Sequence, residues 1–287
     1  MPLKMRLGLL GQVLVGAKVC SVAAFIISAS VATATVSPTQ IDPSNVTRTS
    51  QDAAIAANDF YNQGIKKYNQ GDLEGAIAAF SKAIGLNPQN ALIYVNRGYT
   101  RYDLGDKQGS IEDFTTAIRL NPQDALAYLN RGLSRYDLGD KKGAAEDYTA
   151  AIRLNPQDAR AYHNRGLARE DVGDKKGAIE DYTAAIRLEP NDVLAYVGRG
   201  NVRDKQGDKH GAIKDYNQAI RLDPEEPFAY YNRAITRYSL RDTSGAIEDF
   251  EKAADLFLQQ GDTASYQQVL DMIANVKRQK AKIVVAI

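Results

Sequence analysis

ALAYLNRGLSRYDLGDKKGAAEDYTAAIRLNPQD, residues 125–158, is followed at once by a near copy, ARAYHNRGLAREDVGDKKGAIEDYTAAIRLEPND, residues 159–192. Each copy closes on a proline, Pro156 and Pro190, and Pro88, Pro122 and Pro224 extend that series at a constant step of 34 residues. The same step carries Gly64, Gly98, Gly132, Gly166 and Gly200, with Ala234 in the sixth place. It also carries Ala76, Ser110, Ala144, Ala178, Ala212 and Ala246, and an aromatic four residues later: Phe80, Phe114, Tyr148, Tyr182, Tyr216 and Phe250. Ala83, Ala117, Ala151, Ala185, Ala219 and Ala253 complete the pattern, which divides the chain into units 57–90, 91–124, 125–158, 159–192, 193–226 and 227–260. A strict period of this length marks one supersecondary unit stacked on copies of itself.

Local signals make each unit two helices. In Asn121-Pro122-Gln123-Asp124 the proline ends one helix and the aspartate caps the next. Leu104-Gly105-Asp106 is a turn, with glycine leaving the first helix and aspartate capping the second. Gly105 recurs as Gly71, Gly139, Gly173 and Gly207, and Asp106 has a counterpart in all six units. Within a unit the small residues let the two helices approach while the aromatic fills the space between them. A bulky residue at Gly132 would overpack that crossing by about 1–3 kcal/mol. One hairpin cannot bury enough surface alone, so the units must stack into a solenoid.

An aromatic, a glycine, Ala-x-x-x-aromatic and a proline in 34 residues resemble the tetratricopeptide family, over residues 57–260. The resemblance implies an all-α, right-handed superhelical solenoid of six tetratricopeptide (TPR) helix-turn-helix hairpins that binds other proteins. The family's usual Trp or Tyr slot holds Phe60, Tyr94, Tyr128, Tyr162, Tyr196 and Tyr230. A larger departure lies on the same helix, where positions usually held by Leu and Tyr are arginines in five units: Arg97 and Arg101, Arg131 and Arg135, Arg165 and Arg169, Arg199 and Arg203, Arg233 and Arg237. An acidic residue precedes the core aromatic in each of those units, as Asp113, Asp147, Asp181, Asp215 and Asp249, whereas the first unit has Gln63, Lys67 and Ala79. This covariation points to Arg–Asp pairs holding each hairpin together. The rival is an arginine ladder for anionic ligands.

Outside the repeats the chain changes character. Lys4 and Arg6 open it, a small-residue apolar stretch runs from Val19 to Val31, and Ala32-Thr33-Ala34 has the small-x-small form of a cleavage site. Residues 1–34 therefore read as a secretory signal peptide, which places the protein in the periplasm or a comparable lumen without membrane insertion after cleavage. Lys18 interrupts the pattern, and the competing reading is an uncleaved membrane anchor. Residues 35–50, rich in Thr, Ser, Pro and Asn, read as a disordered linker. After the last repeat, Asp262 caps a further helix over 261–280 with Tyr266, Val269, Leu270, Ile273 and Val276 on one face, as a terminal cap requires. Ile283–Ile287 form an apolar tail, read as folding onto that cap or as a hook for a partner.

The sequence holds no phosphate loop, nucleophile elbow or metal-ligand spacing. With 36 Lys and Arg against 35 Asp and Glu it lacks the basic bias of a nucleic-acid binder, and a lone Cys20 excludes an intrachain disulfide framework. A non-enzymatic protein without cofactor or metal is expected. The resemblance puts the binding groove on the concave side, at the second, fifth, ninth, twelfth and thirteenth positions of each unit. Carried over, these include Tyr61 and Tyr68; Val95, Tyr99, Tyr102 and Asp103; Leu129, Leu133, Tyr136 and Asp137; His163, Glu170 and Asp171; and Tyr231 and Tyr238. An apolar, tyrosine-rich surface with an acidic edge suits a peptide or amphipathic helix of a protein partner, as in the assembly of an envelope or membrane complex. The family's clamp for C-terminal carboxylates needs basic residues that the fifth positions here lack. A self-associating structural module is the alternative reading.

Overall fold

The computed structural model describes residues 43–285, with side chains from 52 to 279, and these residues form thirteen α-helices with no strand among them. Six hairpins follow one another: α1 (Pro43–Asn69) with α2 (Leu73–Leu86), α3 (Ala91–Leu104) with α4 (Lys107–Leu120), α5 (Ala125–Asp137) with α6 (Lys141–Leu154), α7 (Ala159–Asp171) with α8 (Lys175–Leu188), α9 (Val193–Gln206) with α10 (Lys209–Leu222), and α11 (Pro227–Ser239) with α12 (Thr243–Gln259). A last helix, α13 (Thr263–Val285), packs along α12. The chain divides into two compact bodies, one ending at Pro156 and the other beginning at Gln157. Within each body every helix packs on the next, and first helices of successive hairpins also touch: α3 on α5, α7 on α9 and α9 on α11. Each body is thus the all-α stack of hairpins that the period predicts.

The turns form for the reasons read from the sequence. Asp72, Asp106, Asp140, Asp174, Asp208 and Asp242 each accept a hydrogen bond from the third backbone N–H of the second helix. That N–H belongs to a glycine in all six units, a series the sequence reading passed over. A Cβ at Gly75, Gly109, Gly143, Gly177, Gly211 or Gly245 would lie 2.0–2.4 Å from the capping carboxylate. The preceding turn residue is left-handed, glycine in five units but Arg241 in the sixth, at φ 69°. A side chain held there costs about 1–2 kcal/mol, so the last turn carries strain that the others avoid.

Packing between the helices follows the small-residue and aromatic pattern. Phe80, Phe114, Tyr148, Tyr182, Tyr216 and Phe250 are at most 1% exposed. A Cβ built on Gly132 would stand 2.6 Å from Cε1 of Tyr148, far inside contact distance.

Arg–Asp pairing is the second element of each hairpin. Arg97 donates to Asp113 through Nε at 2.9 Å and Nη2 at 2.7 Å, and Arg101 Nη1 adds a bond at 3.0 Å. The same forked arrangement joins Arg131 and Arg135 to Asp147, Arg165 and Arg169 to Asp181, Arg199 and Arg203 to Asp215, and Arg233 and Arg237 to Asp249. All five aspartates are buried, and two guanidinium groups answer each of them, as a buried carboxylate requires. The first arginine also reaches back to the preceding hairpin, from Arg97 to Ser81, Arg131 to Thr115, Arg199 to Thr183 and Arg233 to Asn217. Its guanidinium lies over the tyrosine three residues earlier, for example Arg131 over Tyr128 at 5.6 Å. Each cluster therefore ties its own hairpin and, at those four arginines, the one before it. In the first unit, where the set is missing, Lys67 pairs with Asp72 at 2.7 Å.

Two boundaries are corrected. Helix α1 begins at Pro43, so residues 43–50 are helix and not linker; an N-terminal proline fits the first helical turn, where its missing N–H has no role. At the other end α13 continues to Val285, so the apolar tail is largely helical and does not fold back onto the cap. The cap itself is as expected, with Ser265 N–H donating to Asp262 and Val269, Ile273 and Val276 buried. The signal-peptide reading of residues 1–34, the linker up to residue 42, and Ala286 and Ile287 lie outside the described residues.

Candidate protein-binding surface

The expected groove residues divide by depth. Val95, Leu129, Leu133 and Tyr231 are 8% exposed or less, which corrects their assignment to an open surface. Val95 packs with Phe114 and Ala117 of its own hairpin and with Ala127 of the next, so it fills the joint between the two. Tyr231 packs edge-on to Phe250 at 5.7 Å. The fifth position of a first helix thus packs on the aromatic of its own hairpin, as Val95 does on Phe114 and Tyr231 on Phe250, which leaves it little open surface. Tyr61 and Tyr238 are half-buried, the first against Phe80 and the second beside the α11–α13 core.

What remains accessible in the first body is a row of half-buried tyrosines, Tyr68, Tyr99, Tyr102 and Tyr136, with exposed Asp103 and Asp137. Tyr68 Oη donates to Asp103, and Tyr102 Oη donates to Asp137 at 2.7 Å, each from one unit to the next. Tyr68 and Tyr99 meet edge to face at 6.2 Å. Burial first, then the carboxylate partners, push the Tyr68 and Tyr102 phenols well above the ordinary tyrosine value, so both remain donors across neutral pH. Lysines finish the arrangement. Lys107 Nζ sits 3.0 Å from the Tyr102 ring centroid, 3.3 Å from Asp137 and 3.1 Å from the Tyr102 carbonyl. Lys141 Nζ takes the same place over Tyr136, at 3.1 Å. The lysines were missed, although Lys107, Lys141, Lys175 and Lys209 repeat at the step of 34 residues. Leu104 and Leu138, each next to an exposed aspartate, are 45% and 52% exposed and give the row an apolar margin.

In the second body Glu170 and Asp204 stand where the first has tyrosines, and Lys205 stands where it has an aspartate. Glu170 accepts from Lys205 at 2.6 Å and from Tyr182 Oη at 3.3 Å, and Asp204 accepts from Lys209 and Thr236. Asp171 is exposed. His163 is half-buried, with Nδ1 3.1 Å from Asp192 and its ring edge-on to Tyr182 at 5.6 Å. Burial alone would raise the Asp192 carboxyl, but the bond and charge of His163, with the N–H groups of Ala195 and Leu194, hold it below its ordinary value. Because Asp192 also caps α9, His163 acts as a brace between hairpins.

Asn96, buried and absent from the expected set, donates to Tyr61 Oη at 2.9 Å. At the equivalent place in the sixth unit, Asn232 follows a unit with Val197 where Tyr61 stands in the first, and its Nδ2 is buried without an acceptor. Among the described residues no three His, Cys, Asp or Glu side chains come together as a metal site.

Comparison with known proteins agrees with the fold. The tetratricopeptide repeat model matches residues 95–159 and 129–193, and a second TPR repeat model matches residues 64–105 and 205–241, together more than half of the chain. No curated protein matches the chain. Among solved structures, the MamA protein is 28% identical, with a TM-score of 0.56 over 60% of this chain and 93% of that one. YrrB, described as a TPR protein with an unusual peptide-binding site, is 23% identical, with a TM-score of 0.55 over 62% of this chain and 92% of its own. The pilF protein of Pseudomonas aeruginosa, 16% identical, has a TM-score of 0.63 over 77% of this chain and 99% of its own. By its 34-residue repeat, its capped helix hairpins and these matches, the chain belongs to the tetratricopeptide repeat family.

Proposed function

We propose that the chain is an exported, non-catalytic scaffold that binds a peptide or helix of a partner protein along the tyrosine row of the first body, in the assembly of an envelope or membrane complex. One observation carries the reading: Tyr68, Tyr99, Tyr102 and Tyr136 stay only half-buried, beside Asp103 and Asp137, while the core of each hairpin is already filled by other aromatics. Tyrosines give large, rigid contact area with a polar tip, which concentrates binding energy in few residues. The row also indicates the sign of the partner. Its rings and carboxylates already hold ammonium groups of Lys107 and Lys141, so a basic side chain of a ligand finds the same chemistry there.

Immobilised protein should capture its partner from the native envelope, and Tyr99→Ala and Tyr136→Ala should each weaken that binding by about 1–3 kcal/mol. Tyr102→Phe keeps the ring and removes only the bond to Asp137, so it separates contact area from the ladder. Undiminished capture by the Tyr99→Ala/Tyr136→Ala protein, with an unchanged unfolding midpoint, would place the site elsewhere. Export has its own test. The intact mass of native material should correspond to a chain beginning near Thr35, and a soluble cytoplasmic pool retaining Met1 to Ala34 would refute it.

A further inference from the structure

The lysines of the tyrosine row are a repeated device that the first unit lacks. At the first place of the second helix stand Lys107, Lys141, Lys175 and Lys209, whereas the first unit has Leu73 and the sixth Thr243. Where a tyrosine stands five residues earlier, the lysine folds back over it. Lys107 Nζ lies on the Tyr102 ring, on the Tyr102 carbonyl and beside Asp137 of the next unit, and Lys141 Nζ lies on the ring and carbonyl of Tyr136. Tyr68 and Asp103 repeat the ring and the carboxylate of this arrangement. The Tyr68 hydroxyl donates to Asp103 as that of Tyr102 does to Asp137. Tyr68 is half-buried and Asp103 exposed, yet Leu73 brings no charge to them, and Lys67 is turned to Asp72. Among the described residues no cation lies over the Tyr68 ring and none pairs with Asp103. In the sixth unit Tyr238, before Thr243, packs instead into the core shared with α13.

We propose that the Tyr68 ring and Asp103 receive a lysine side chain of the partner peptide, an assignment that rests on the tyrosine row being the binding surface. The partner then supplies from outside the ammonium that the chain itself supplies to the next two units. An ammonium between a ring face and a carboxylate gains from both, and gains more where the ring is partly desolvated. At Tyr102 and Tyr136 a ligand's ammonium must displace a lysine tethered five residues away, whose effective concentration is about millimolar or higher. At Tyr68 no described lysine competes, so the first unit fixes where the base of the ligand lies. An acidic side chain would meet Asp103 with like charge. An apolar one would cover the ring but desolvate Asp103 without an answering charge.

Leu73→Lys is the decisive variant, because four other units carry lysine at that place and the fold accommodates it. The probe is a short fluorescein-labelled peptide of alternating lysine and alanine, followed by anisotropy against the full chain at about 0.15 M salt. The lysine peptide should bind, and its glutamate counterpart should not. Leu73→Lys should weaken binding by about tenfold or more, with helical circular dichroism and unfolding midpoint retained, and Asp103→Asn should weaken it likewise. Lys107→Leu, which uncovers the Tyr102 ring, should strengthen it. Glu112→Gln removes an equal charge from an exposed place on α4 and should change nothing. An affinity indifferent to Leu73→Lys, or no binding by the unsubstituted protein, would overturn the proposal. Dimers in light scattering that Leu73→Lys dissolves would overturn it in favour of a second copy. Partner capture lost with Tyr99→Ala/Tyr136→Ala but untouched by Leu73→Lys would keep the binding surface and remove the lysine site. A probe that responds to Leu73→Lys, with capture indifferent to those tyrosines, would keep the site and remove the surface's role.

Discussion

Asp147→Ala should lower the unfolding free energy by about 3–5 kcal/mol, the cost of leaving buried charge without its partner. Asp147 is 3% exposed and takes three bonds, from Arg131 Nε at 3.0 Å, Arg131 Nη2 at 2.7 Å and Arg135 Nη1 at 2.9 Å. Removing the carboxylate leaves two guanidinium groups facing each other across a space closed by α5 and α6. Arginine cannot escape by losing its proton, so the only relief is for the side chains to leave the interface and expose it. Glu146, the adjacent residue, is exposed and supplies the control: Glu146→Ala should change stability by less than about 0.5 kcal/mol. Salt should do little to the Asp147 effect, because buried pairs are weakly screened. Urea titration followed by circular dichroism gives the comparison, and equal midpoints for Asp147→Ala and the unsubstituted protein would show that the cluster contributes nothing. An arginine ladder waiting for an anionic ligand predicts that outcome, since its arginines would need no internal acid.

The sequence could reveal that cluster because both partners vary together. Five units have the two arginines and the aspartate, and the unit that lacks the arginines lacks the aspartate. Hairpin boundaries were legible for a similar reason: proline, glycine and aspartate each impose a backbone state at a fixed place. Depth in the stack was not legible. Val95 and Tyr99 sit one helical turn apart, yet one is buried where its own hairpin meets the next and the other stays half-exposed. That difference depends on how far one hairpin overlaps another, which no residue of a single hairpin encodes. The same limit applies to Tyr102, whose pairing with Asp137 joins residues 35 apart and becomes visible only once the units are stacked. Helix α1 failed the reading differently. Residues 43–50 have linker composition, and their helix is an extension of the strong pattern that follows them.

Tyr148→Ala should cost about 3–5 kcal/mol, as truncating a buried aromatic in a stacked core does. Tyr148 is 1% exposed, and its ring edge occupies the space where residue 132 would carry a Cβ. Gly132→Ala in the unsubstituted protein should therefore also destabilise, by about 1–3 kcal/mol, even though alanine favours a helix over glycine. The informative result is the double change. With the ring gone, the methyl at 132 meets no obstacle, fills part of the cavity and gains helix propensity, so Gly132→Ala should turn from destabilising to neutral or stabilising. The sixth unit holds the natural counterpart, Ala234 against Phe250, both fully buried, so a hairpin can accept the methyl when its helices are set for it from the start. Additive losses in the Gly132→Ala/Tyr148→Ala protein would mean that glycine is needed for something other than room for the ring. Coupling of opposite sign to each single loss would instead identify the 34-residue spacing of glycine and aromatic as a steric pair, the contact that sets how closely the two helices of each unit approach.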